Sequence, residues 1–421
     1  MIGLRTAAGD RVSAAPVPAM ATPADAEATI RAAIPPLPVE PTPLASVTGR
    51  ILRESIVADR DQPPFHRVAM DGIAIDSAAM AGGRRSFRIA GTQPAGAPQR
   101  ALPGTDHCFE VMTGAVLPAG CDCVIPVERL QLADGVATLA EGVQASPWMH
   151  VHQRGQDCRA GDHLIEPGTR IGAPETAVLA AAGYAHVAAA RPPSIMIVST
   201  GDELVEPGEP VEDWQIRSSN GYALTAALRR QGFDRLAQDR LPDDPCVLRE
   251  RLRTHLDTHD VLILSGGVSM GRYDYVPGAL TDLGIEPVLY KVSQRPGRPM
   301  WFGVRRPDKT VFALPGNPVS ALVCCIRYVV PALLTAMGAS SRDAERIALG
   351  EAVAATPSLT VFLPVRRLQE ASGRALAYPR PTHGSGDFTS LLGTDGFIEL
   401  PAGPRALAAG TLVPFYAWGS V

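Results

Sequence analysis

The sequence predicts an α/β plus β chain of several domains, with an α/β sheet at the centre and strand-rich modules around it. Three observations carry this. Between Ser194 and Met337, apolar runs of strand length alternate with helical stretches, the pattern of a mostly parallel sheet covered on both faces. Residues 65–150 and the stretch beyond about Ser340 are instead short strands between Gly/Pro turns, the mark of small β modules. Finally, 421 residues with 46% hydrophobic and 19% charged content exceed one core, so about two to four domains are expected.

Composition removes several function classes. A net charge of −4 argues against general nucleic-acid binding while leaving room for a local basic pocket. No apolar run is read as reaching membrane-span length, and the N-terminus lacks the basic-then-apolar order of a signal peptide. The seven cysteines contain no Cys-x-x-Cys pair, so neither a zinc site nor a disulfide framework is indicated. A reducing cytoplasm is the expected location.

In chain order, residues 1–20 are Ala/Pro/Gly-rich without periodicity and read as a disordered leader. Thr22-Pro23 is a cap followed by proline at the first helical position, predicting a helix to Ile34, before Pro35-Pro36. Val47–Val57 is a short helix or turn-strand, and Asp61–Phe65 a rigid connector. Residues 21–64 and 151–190 are assigned to one discontinuous N-terminal domain, 65–150 to a β-rich domain, 191–338 to the α/β domain and 339–421 to a C-terminal β-barrel domain. The second domain holds Ala69-Met70-Asp71-Gly72, and the first holds Arg154-Gly155-Gln156-Asp157 and an alanine-rich helix near Pro174–Ala182. In the α/β domain the expected helices are Gly221–Gln231, Pro245–His255, Pro277–Leu283 and Ala321 to about Met337. The expected strands include Ile195–Val198, Val261–Leu264, Val288–Val292 and Thr310–Leu314.

Chemistry concentrates in loops after predicted strands of the α/β domain. These are Ser199-Thr200-Gly201-Asp202-Glu203, Ser265 to Asp274, and Pro315-Gly316-Asn317-Pro318-Val319-Ser320. All three should open on one sheet edge, where open α/β sheets bind ligands. Gly266, Gly267 and Gly271 let the backbone approach an anion closely, although the loop is neither a Walker A motif nor a dinucleotide fingerprint. Gln294–Pro299 adds Arg295 and Arg298, whose guanidinium groups fork onto oxyanions. Carboxylates beside phosphate-type groups commonly hold Mg²⁺, so a phosphorylated ligand with a divalent metal is the implied chemistry. Elsewhere, His150-x-His152 would put two imidazoles on one strand face. Cys324-Cys325 reads as core packing and Arg229-Arg230 as a solvated helix face.

These motifs together resemble the molybdopterin molybdotransferase family, that is MoeA and the C-terminal domain of gephyrin-like proteins. The resemblance runs from about Thr22 to the C-terminus. Its motifs are Pro63-Pro64-Phe65 through Met70-Asp71-Gly72; Met112-Thr113-Gly114-Ala115 with Leu117-Pro118-Ala119-Gly120; Arg154–Asp157; Ser199–Leu204; Ser265–Ser269; and Leu314–Ser320. It implies an elongated homodimer of four domains, dimerising through the N-terminal one, with a MoaB/Mog-like pterin-binding α/β domain. The implied reaction is insertion of molybdate into adenylylated molybdopterin, assisted by Mg²⁺, with AMP released. The upstream adenylyltransferase and recipient molybdoenzymes are the implied partners, with no nucleic acid and no membrane. Residue by residue, it implies catalytic roles for Asp71, Glu203 and Asp274 and metal contacts for Asp157, Asp202, Glu203 and Asp274. The implied substrate contacts are Thr113, Ser199, Thr200, Gly201, Ser265, Gly266, Gly267, Ser269, Arg295, Arg298, Pro315, Gly316, Asn317, Ser320 and Ser385. Asp71 is implied to serve the partner subunit's site.

The sequence also departs from the family pattern. The segment His66–Ala74 keeps Asp71 but loses an aromatic and two polar groups, and the Lys-Pro-Gly-Lys-Pro loop is Arg295-Pro296-Gly297-Arg298-Pro299. The Gly-Arg-x-x-Phe-x-Arg segment is Ser358–Pro364, without either arginine; Arg366 or Arg367 is the candidate substitute for the first, which the family uses for molybdate. A second reading follows from that loss: a non-catalytic paralogue that binds molybdopterin as carrier or scaffold.

Overall fold

The computed structural model of the chain describes residues 20–268, 275–354, 358–403 and 406–419. The expected leader, apart from Met20, and the loop residues Ser269–Asp274 lie outside them. The chain divides into two compact units. One takes in the N-terminal stretch to Glu40, Gly49–Arg53 and everything from Ala189; the other is Pro41–Thr48 with Glu54–Ala188.

Helix α1 (Pro23–Ala33) starts where the capping chemistry predicts. The Thr22 hydroxyl accepts from the Asp25 N–H at 3.2 Å while the Asp25 carboxylate accepts from the Thr22 N–H, a reciprocal cap with Pro23 at the first turn.

The second unit is built on a six-stranded sheet of β1 (Gly72–Ile75), β2 (Ser86–Gln93), β3 (His107–Val111), β4 (Cys123–Pro126), β5 (Leu130–Ala133) and β6 (Val136–Leu139). Its order is β4-β1-β3-β2-β6-β5, and only β2 with β3 is parallel. Alternation along β1 sends Ile73 and Ile75 into one apolar cluster and Ala74 into another. Gly72 is forced, because any Cβ there would overlap the Ile125 carbonyl of the adjacent strand. Val47–Val57 resolves into a single 3₁₀ turn before it (Leu44–Ser46) and the two-residue strand Ile56–Val57, not a helix. The alanine-rich helix, α2 (Ala173–Ala181), is present.

In the first unit the sheet comprises β7 (Ile195–Thr200), β8 (Leu236–Leu241), β9 (Val261–Ser265), β10 (Glu286–Tyr290), then, beyond the two-residue strand β11 (Gln294–Arg295), β12 (Trp301–Arg305) and β13 (Lys309–Leu314). The order is β8-β7-β9-β13-β12-β10. The four strands β8, β7, β9 and β13 are parallel; β12 runs antiparallel to β13, and β10 antiparallel to β12. β8 and β12 are additions to the strands expected from sequence. The apolar alternation explains the two covered faces. Ile195, Ile197, Ile263 and Phe312 enter a core shared with α1 and α3 (Asn220–Arg230). Met196, Val198, Leu262 and Val311 enter another, packed by α4 (Pro245–Thr258) and α5 (Val276–Asp282).

The last long helix departs from a regular α-helix. It runs as α6 (Pro318–Cys324), a π turn over Cys325–Val329, and α7 (Val330–Ala336). Pro331 has no N–H to give to a carbonyl in the preceding turn, which accounts for the widening. The segment Pro318–Ala336 does reach membrane-span length and apolarity, against the sequence expectation, but 78% of an 18-residue stretch within it is buried inside the fold. It is a core helix. Within its π turn, Arg327 is 5% exposed and joins Glu27 of α1 to Glu399, the latter at 2.9 Å.

C-terminal strands β14 (Glu345–Leu349), β15 (Thr360–Gln369), β16 (Ala375–Pro379), β17 (Gly396–Leu400) and β18 (Leu412–Ala417) close as β15-β16-β14-β18-β17-β15. This is a closed five-stranded barrel. β11 pairs onto it, with Gln294 opposite Thr360 and Arg295 opposite Val361.

Candidate functional site

The three parallel strands β7, β9 and β13 are in register, Ser199 against Ser265 and Ser265 against Leu314. Their carboxyl ends therefore stop at one level, and the loops that follow open together. They surround a cavity of about 580 Å³ lined by Ser199, Thr200, Gly201, Glu203, Ser265, Gly266, Gly267, Pro315, Gly316 and Asn317, among others. That volume is of small-molecule size. So nine of the expected substrate contacts and one expected acid do converge on one edge.

The glycines are set by close approach. Gly266 has φ +104, and a Cβ there would lie 2.7 Å from the Thr200 hydroxyl and 2.8 Å from the Thr200 carbonyl oxygen. The first and second loops are thus in backbone contact. The third is tied in by Asn220, the first residue of α3. Its Nδ2 donates to Ser265 Oγ and to the Gly316 carbonyl, both at 2.7 Å. Because Gly316 O can only accept, the amide orientation is determined by this bond. Asn220 is not among the site residues that the sequence suggested. The available signal was the run Ser218-Ser219-Asn220: one cap suffices, which leaves polar side chains free to do something else. Two other buried atoms at the site, Thr200 Oγ1 and Asn220 Oδ1, have no hydrogen-bond partner among the described residues. Such atoms are rare inside proteins and concentrate at working sites.

Asn317 extends the cluster to the barrel side. Its Nδ2 donates to Ser385 Oγ at 2.8 Å, and the Val319 N–H donates to the Ser385 carbonyl. Ser385 is therefore joined to the third loop, and its neighbour Gly386 lines the cavity. Ser320, in contrast, is 2% exposed in the first turn of α6 and does not line the cavity. Arg295 and Arg298 are exposed on a loop that reaches the cavity through Pro299. Ser269 and Asp274 lie outside the described residues.

Acidic groups sit at the rim. Glu203 and Asp243 line the cavity, and the Asp243 N–H donates to Asp202 Oδ1 at 3.1 Å. Among the described residues no group of three or more His, Cys, Asp or Glu is arranged to cage a metal. Mg²⁺ is ordinarily held by one or two carboxylates plus substrate phosphates. Hard oxygen donors at the mouth of a cavity fit an ion of that kind.

In the other unit, Asp71 and Thr113 are brought together. Asp71 Oδ1 accepts from the Thr113 N–H at 2.6 Å and from its hydroxyl at 2.8 Å. These bonds hold the Asp71 carboxyl below the ordinary carboxylate range even though it is exposed. Asp157 accepts from His152 Nε2 at 2.9 Å, while His152 Nδ1 faces Arg67 at 3.0 Å. The arginine can only donate, so Nδ1 accepts and the imidazole proton is on Nε2. The expected pair of imidazoles on one strand face is not formed: His150 has φ +56 and only Val151–His152 is strand. The loop Arg154–Asp157 is docked on the connector, the Gly155 N–H donating to Pro63 O and the Asp157 N–H to Gln62 O.

On β15, Arg367 is engaged with Glu345 at 3.0 Å, while Arg366 is exposed. Cys324 and Cys325 are fully buried, as expected of core residues.

Comparison with known proteins gives a consistent picture. Residues 21–183 match the MoeA N-terminal region (domains I and II), 196–335 the molybdopterin-binding domain, and 346–418 the MoeA C-terminal region (domain IV). A molybdopterin molybdenumtransferase from Synechocystis is 40% identical over 88% of this chain and 93% of its own. One from Staphylococcus epidermidis is 30% identical over 87% of this chain and 88% of its own. The crystal structure of a molybdopterin biosynthesis MoeA protein from Pyrococcus horikoshii superposes with a TM-score of 0.78 at 28% identity, covering 96% of this chain and all of that one.

Proposed function

The chain belongs to the MoeA family of molybdopterin molybdenumtransferases, with a molybdotransferase role in molybdenum cofactor biosynthesis, and from that premise we propose how its residues divide the work. The substrate is adenylylated molybdopterin, the second substrate is molybdate, and AMP leaves. The observation that carries this reading is the cavity where Ser199–Gly201, Ser265–Gly267 and Pro315–Asn317 meet, cross-tied by Asn220. Hydroxyls and glycine backbone at the ends of parallel strands suit a phosphorylated heterocycle.

Two exposed cations, Arg295 and Arg298, draw in the molybdate dianion. Ser385, held by Asn317, offers a further oxyanion contact. Asp202 and Glu203 are the groups that would hold Mg²⁺. When bound, that ion supplies Lewis-acid polarisation of the phosphoanhydride. No side-chain nucleophile is required, because the dithiolene sulfurs of the substrate become the molybdenum ligands. Asp71, ionised through Thr113, supplies an acidic group to the reaction. The seven free cysteines support a reducing compartment, the cytoplasm, as the place of reaction.

Replacement of Asp71 tests the division of labour. Asp71→Ala is expected to abolish molybdenum insertion while leaving molybdopterin affinity within about twofold of the starting protein, a change worth little free energy. Insertion at the unmodified rate would remove Asp71 from the reaction.

A further inference from the structure

The loop that carries Arg295 and Arg298 rests on a buried amide. Gln294 is 1% exposed. Its Nε2 donates to the carbonyl oxygens of Pro296 at 3.1 Å and Gly297 at 3.2 Å, and faces Cys324 Sγ at 3.5 Å. The two carbonyls determine which end of the amide is nitrogen. Oε1 is thereby turned to Tyr328, whose hydroxyl donates to it. Tyr328 is also 1% exposed and belongs to the π turn. A Cβ on Gly297 would come within 2.6 Å of Cys324 Sγ and 2.7 Å of Gln294 Nε2, so the turn is pressed onto this floor. The guanidinium groups above are exposed and have no hydrogen-bond or ion-pair partner among the described residues. One part of the loop is over-determined and the other is left open.

We propose that Gln294, keyed by Tyr328, is a positioning residue for molybdate capture: it sets the Arg295–Arg298 turn so that two cations converge on one oxyanion. An amide buried in an apolar floor with its hydrogen-bonding capacity used is a device for geometry. The inference rests on reading Arg295 and Arg298 as the oxyanion contacts.

The test measures the molybdate dependence of metal insertion by the full chain. Gln294→Met keeps the volume and removes both donors; Tyr328→Phe removes a single hydroxyl and carries the test should the first variant fail to fold. Half-saturating molybdate is expected to rise about tenfold for Gln294→Met and about threefold for Tyr328→Phe. The maximal rate and molybdopterin affinity should move less than about twofold. In an Arg295→Ala/Arg298→Ala background, Gln294→Met is expected to add nothing, since the two act as one unit. An undiminished effect in that background would mean that Gln294 acts on general packing, and would overturn the proposal. So would a Tyr328→Phe protein that saturates like the unmodified one. If the double arginine variant itself saturates normally, the arginine reading fails first and the positioning role falls with it.

Discussion

Asp71 shows how one residue is prepared for chemistry by its neighbour. Both bonds from Thr113 favour the ionised carboxylate, and slight desolvation opposes them without prevailing. The folded pKa is thus below the unfolded one. The associated stability is present above the unfolded value and is lost as pH falls from about 4 through the lower folded value. Thr113→Val removes the hydroxyl bond but keeps the backbone one. The Asp71 carboxyl, followed by NMR titration, is expected to move up toward the ordinary carboxylate range while staying below it. No upward movement would show that the hydroxyl has no share in the shift. The pairing itself was visible only as two separated motifs carrying Asp71 and Thr113. That the two meet through one oxygen depends on β1 lying antiparallel to β3, with Gly72 opposite Val111.

At the scale of elements, Asn220 acts as a cross-tie between a helix start and two loops. A donor must face the Gly316 carbonyl, so a carboxylate there repels where the amide bonds. Asn220→Asp is therefore expected to lower molybdopterin affinity about tenfold or more, and Asn220→Ser by less. Equal affinities by titration calorimetry would mean that the loops hold their positions without the tie. The strand ends and their loops were legible because buried parallel strands write themselves as apolar runs ending in Ser/Gly. Asn220 and Gln294 were not legible, because a polar residue looks the same in sequence whether it caps, lies in solvent or spans two loops. β8 and β12 were not legible either: Leu236–Leu241 interleaves polar and charged residues instead of running apolar, and Trp301–Arg305 directly follows an arginine- and proline-rich turn. The π turn escaped because helical periodicity survives a one-residue widening, although Pro331 marked the place.

Over the whole molecule, the order of a β-rich module, an α/β sheet and a C-terminal barrel follows from composition shifts that persist over many residues. The barrel's closure through β15 and β17 does not, since pairing of distant strands leaves no local trace. We expect light scattering to give twice the 44.4 kDa chain mass, the homodimer the family resemblance implies; a particle of single-chain mass contradicts it. The loss of both family arginines from Ser358–Pro364 bears on the whole assembly, because Arg367 is engaged with Glu345 and only Arg366 stands open on that strand. This chain is expected to couple metal insertion to departure of AMP. The direct measurement mixes purified protein with adenylylated molybdopterin, Mg²⁺ and low molybdate, and follows AMP release together with pterin-bound molybdenum. AMP and inserted molybdenum appearing together, one for one, is the expected result. Tight molybdopterin binding with neither product would contradict the account and make the chain a carrier.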